Sequence, residues 1–168
     1  GLIIGEDAKK ENSAIFVRGK NSIDGNDIEG MFIKLDDAWL LGGGLERAIG
    51  DFGFWFETAY MHLGDTSSDS YWRSSIGSDY AVDENVILAL EYHYNGAGSS
   101  NPEDYNQLLS AEPYQKAGIF LLGQHYLIPG LTWTATPLIS VSASGFFNMS
   151  DQSVFFNLSS EVNWSDNL

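Results

Sequence analysis

Glu57, Arg73, Glu91 and His93 are the residues of this chain whose types and spacing best support chemistry. Each lies in a stretch where polar and apolar residues alternate, so each projects from the polar face of an extended strand. If the three stretches run side by side, aligning the hairpins from their turns puts Arg73 near His93 and Glu91. Glu57 then falls one strand away. Carboxylates, a guanidinium and an imidazole on one wall can filter charged solutes. They can equally form an ion-pair network that satisfies polar groups inside a closed sheet. Asp79 shares the face of Arg73. Arg18, Lys20 and Lys34 place basic side chains on another part of the wall, which implies a transverse field from a basic to an acidic side.

Other chemistry finds less support. Glu91 and His93 are two residues apart on one strand face, but a metal centre needs further ligands that the sequence does not display. The three histidines, His62, His93 and His125, have no recognisable ligand spacing. No serine sits in a nucleophile elbow, so no catalytic residue is assigned, and no cofactor or metal is expected. Gly42-Gly43-Gly44 lacks the following Lys-Ser/Thr of a phosphate loop, and glycine in a strand more often allows curvature or close packing. Three Asn-X-Ser triplets, starting at Asn148, Asn157 and Asn163, fall on Ser/Asn-rich strand faces.

The elements that must carry these residues are strands. From Val86 to Asn95, Val86, Leu88, Leu90, Tyr92 and Tyr94 form one face and Ile87, Ala89, Glu91, His93 and Asn95 the other. The first is apolar and ends in tyrosines; the second turns polar toward the same end. Lipid on one side and water on the other require this division. It recurs in Phe52–His62, Tyr71–Val82, Leu138–Met149 and Val154–Trp164. Ala14–Lys20, Met31–Leu35 and Ala38–Arg47 are shorter versions, with Asp36-Asp37 as a tight turn. In Ile119–Thr134, Pro129 removes a ladder donor and Gly130 follows, so a bulge is expected there. Short turns at 48–51, 82–85, 136–137 and 165–167 contrast with polar loops at 64–70 and 96–116, and with a shorter one at 150–152. The loop 96–116 is the longest and the first place to look for specificity.

Composition bounds the rest. The chain has 168 residues, enough for one domain, with 14% aromatics, 18 glycines and 4 prolines, a mixture that favours β-structure with tight turns. No apolar run approaches the roughly 20 residues of a membrane helix. With 23 acidic against 8 basic residues and a net charge of −15, nucleic acid is excluded as a natural partner. Acids cluster at Glu6–Glu11, Asp65–Asp69, Glu103-Asp104 and Glu112. They read as solvated loops or as sites where divalent cations bridge to anionic lipopolysaccharide. Cysteine is absent.

The stretches Gly43–Tyr60, Ile76–Tyr80, Leu90–Gly98, Gly123–Leu127 and Asn163–Asn167 resemble hairpins of porin-like outer-membrane proteins of Gram-negative bacteria. The likeness covers roughly residues 38–168, and its motifs are architectural. It implies an all-β fold: an antiparallel up-and-down meander of about 8–10 strands forming part of a transmembrane β-barrel. The expected domain is a single one over 1–168, truncated at both ends, because the signal peptide and terminal aromatic strand of such families are missing. The expected setting is the bacterial outer membrane, with lipid and lipopolysaccharide outside and small solutes inside. A partner protein in or beside the lumen stays open. The leading expectation is a channel for small solutes rather than an enzyme. Its alternatives are a structural or adhesive barrel with a plugged lumen, and a secreted soluble β-protein that binds carbohydrate through its aromatics.

Overall fold

A computed structural model describes residues 1–3, 13–64, 70–116 and 119–164. The acids of Glu6–Glu11 and Asp65–Asp69 and the turn at 165–167 lie outside these residues. The chain folds as ten strands in one antiparallel sheet, each paired with its neighbours in sequence. They are β1 Leu2–Ile3, β2 Ala14–Ile23, β3 Asn26–Leu35, β4 Ala38–Ile49, β5 Phe52–His62, β6 Tyr71–Ala81, β7 Val86–Asn95, β8 His125–Thr136, β9 Ile139–Asn148 and β10 Val154–Val162. The sheet is an open meander with β1 and β10 at its edges; it does not close into a barrel.

Turn chemistry explains the hairpins. Asp24 and Gly25 both take positive φ (51° and 77°), which fits a tight two-residue turn matched to the strand twist. Asp36 (φ 51°) does the same before Asp37, so the tight turn expected there forms. The strand expected from Met31 begins at Asn26 instead, because the turn lies one pair of residues beyond Ile23. Pro129 causes no bulge. It stays in register with Leu90, and the β8–β9 ladder only skips Ile128 and Pro129, where the proline has no N–H to give. The register shift falls at Thr134/Thr136, beside the β8–β9 turn.

Ordinary soluble packing is nearly absent. Among the described residues only Leu63, Tyr71, Ile119 and Tyr126 are buried hydrophobics. One face carries exposed apolar side chains from edge to edge: Val17 and Phe32, Leu41 and Leu45, Phe54 and Phe56, Ile76, Leu88 and Leu90, Leu131, and Phe156 and Leu158. Cross-strand pairing places them together, as in Leu45↔Phe56↔Ile76↔Tyr92. Rings gather toward both strand ends of this face. Trp39, Tyr60 and Trp72 form one row, with centroids 5.3 and 5.0 Å apart, and Phe52 and Tyr80 (4.6 Å) mark the other end. Exposed apolar area on this scale exceeds what a soluble monomer ordinarily shows.

Candidate functional site

The opposite face holds most of the polar residues, alongside exposed Phe16, Leu35, Ile87 and Phe155, and the ladder sets them in rows. One row runs Gly44, Glu57, Ser75, His93, Tyr126, Asn148 across β4–β9. The next row toward the loops contains Gly42, Ala59, Arg73 and Asn95; the next toward the short turns contains Glu46, Trp55, Gly77 and Glu91. Ser75 Oγ and His93 Nδ1 are 2.8 Å apart, and Arg73 is diagonal to both Glu57 and His93. Lys20 on β2, Arg73 on β6 and His93 on β7 line one cavity of about 390 Å3, so the sheet curls around this polar face.

Trp55 and Gly77 illustrate how sequence builds the wall. Trp55 Nε1 donates to Glu91 Oε2 at 3.1 Å, although β6 lies between their strands. The indole passes directly over Gly77, where an added Cβ would collide with Trp55 Cζ2. Only glycine leaves that path open. Gly77→Ala should therefore push the indole off, costing about 1–3 kcal/mol as an overpacked contact. A shift in tryptophan emission together with a lower unfolding midpoint checks this; unchanged emission would contradict the placement.

Further along, Arg18 makes two bonds to Glu29, Nε to Oε1 at 2.7 Å and Nη2 to Oε2 at 2.6 Å. Lys20 lies 3.1 Å from Asp27. These exposed pairs neutralise the basic side of the face rather than hold the sheet together.

The loop between β7 and β8 closes the other end. It runs through a 3-10 turn, Pro102–Asp104, and two short helices, α1 Tyr105–Leu108 and α2 Glu112–Lys116. Ile119 packs with Leu63 and Tyr71, and Tyr114, Ala97 and Met61 flank them, so the loop sits as a cap over the polar face. Asn95, fully buried, donates from Nδ2 to Leu121 O (2.7 Å) and Gly123 O (3.2 Å). Tyr114 Oη lies within reach of Leu121 O and Ala97 O, at 2.9 and 3.2 Å. Burial pushes the Tyr114 hydroxyl pKa up, which keeps it a donor. Asn148 Nδ2 donates to Tyr105 Oη at 3.0 Å, tying α1 to β9.

Of the residues singled out from sequence, Glu57, Arg73, Glu91 and His93 share this face. Asp79 is on it too, nearer the short turns, where it accepts from Gly53 N at 3.0 Å. Lys34 is not. It lies between Ile15 and Trp39 on the apolar face, because β3 begins at Asn26 and its polar parity belongs to Asp27 and Glu29. Sequence reasoning did not name Asp27 and Glu29, and it gave no role to Glu46, Trp55 and Asn95. Carrying the alternation of Met31–Leu35 back five residues would have revealed the first two. Asn95 offers no local signal, since its partners come from a loop 26 and 28 residues away. No group of three or more metal-ligating side chains occurs among the described residues. No family model, curated protein or solved structure matches the chain.

Proposed function

We propose that this chain forms part of the wall of a porin-like β-barrel in a bacterial outer membrane, with a path for small solutes along its polar face. The observation that carries the reading is the exposed apolar face, spread over the sheet and flanked at both ends by aromatic rows. Strands of 9–12 residues (β2–β10) suit a hydrocarbon layer crossed at a tilt. A soluble carbohydrate-binding sheet would have to bury that face, and only four hydrophobic residues are buried among those described.

The charges on the polar face favour cations. Arg18 and Lys20 are answered by Glu29 and Asp27, which leaves Glu46, Glu57, Asp79, Glu91 and Glu161 against Arg73. Replacing Glu57 and Glu91 by Gln should shift the reversal potential in planar bilayers toward lower cation preference, most strongly at low salt. Unchanged selectivity would remove these acids from the path. The cap over the loop end favours a second reading, a scaffold barrel with a plugged lumen. Single-channel conductance separates the two: steady current supports the path, and a closed trace under all voltages supports the plug.

A further inference from the structure

The cavity on the polar face holds Arg73 and Glu57 without joining them, whereas its Lys20 is paired with Asp27. Arg73 has no ion-pair partner among the described residues. Its Nε and the Nε2 of His93 are enclosed and unpaired, and His93 is only 8% exposed. Enclosed polar atoms without partners are costly, and an unanswered guanidinium is unusual in a chain with 23 acidic and 8 basic residues. Glu57 lines the same cavity on the neighbouring strand, diagonal to Arg73 at the roughly 7–8 Å of such neighbours, and it makes no ion pair among the described residues.

A simple anion would satisfy Arg73 but meet the field of Glu57 and Glu46. A simple cation would meet the converse. A molecule with a carboxylate and an ammonium a few ångströms apart satisfies both ends at once, and about 390 Å3 accommodates one the size of an amino acid or dipeptide. We propose that this cavity binds small zwitterions, with the carboxylate held by the guanidinium of Arg73 and the ammonium by Glu57. The proposal rests on the reading of the polar face as a solute path. The planar guanidinium of Arg73 suits a carboxylate as a bidentate partner.

Calorimetric titration of the detergent-folded protein with glycylglycine, acetate and methylammonium tests this. Saturable glycylglycine binding is expected, with acetate and methylammonium each at least tenfold weaker. Glu57→Gln and Arg73→Gln should each weaken glycylglycine at least tenfold. Glu57 is exposed, so its variant reports even if the Arg73 variant misfolds. Acetate binding as tightly as glycylglycine, unchanged affinity in Glu57→Gln, or no saturable heat would overturn the proposal. Conductance is read separately. A protein that conducts but does not bind glycylglycine keeps the solute path and loses the zwitterion site. One that binds glycylglycine without conducting keeps the site and loses the path.

Discussion

Lysine in place of Ile76 should destabilise the membrane-inserted protein by about 2–4 kcal/mol, the cost of a cation at mid-depth on a lipid-facing barrel surface. Ile76 is the middle residue of β6, is 57% exposed, and lies between Phe56 and Tyr92 on the apolar face. In water the same change would be almost neutral, because an exposed side chain loses little when it becomes charged. The size and sign of the effect therefore report the solvent that this face meets. Ser142→Lys, on the polar face opposite Thr132, is the matched control and should be tolerated. Urea unfolding in lipid vesicles measures both. Equal midpoints for the two variants would contradict a lipid-facing surface.

Asn95→Ala is expected to release the cap. The amide is fully buried and donates to two carbonyls of the returning loop, Leu121 O and Gly123 O. Alanine leaves a cavity and at least one carbonyl short of a donor, because Leu121 O retains Tyr114 while Gly123 O has no comparable replacement. Such a group costs about 1–3 kcal/mol, enough to shift a local opening equilibrium by one to two orders of magnitude. The strands should persist, since their ladders do not use this side chain. Limited proteolysis should cut within 97–122 much faster than in the unaltered protein, and conductance should rise if the cap restricts the path. Unchanged cleavage would show that apolar packing around Ile119 holds the cap without the amide.

Strand residues were legible because a one-residue slip moves every side chain to the wrong face. The alternation in Phe52–His62 and Val86–Asn95 therefore allowed one register, and Glu57, Glu91 and His93 fall where that register puts them. Lys34 shows the limit. Over Met31–Leu35 a single lysine among apolar residues cannot reveal which parity is polar, and only Asp27 and Glu29 resolve it. Pro129 shows another: a missing donor predicts a bulge, but Pro129 keeps its place opposite Leu90 and the β8–β9 ladder resumes at Gly130 without a shift. The loop 96–116 was legible as the longest connector, but its folding as a cap was not. Its anchors pair residues far apart in sequence through backbone carbonyls, which carry no residue-specific pattern. The joined path of Trp55 over Gly77 to Glu91 likewise appears only when three strands lie side by side.

The central claim is that one face of this sheet meets lipid and the other meets water. The chain has no cysteine, so single cysteines can be placed along β7 from Val86 to Asn95 and spin-labelled without background. In lipid vesicles, collision with oxygen and with a water-soluble nickel chelate should alternate with period two. Labels at 86, 88, 90 and 92 should favour oxygen, and those at 87, 89 and 91 should favour the chelate. Equal chelate access at both sets of positions would contradict the claim.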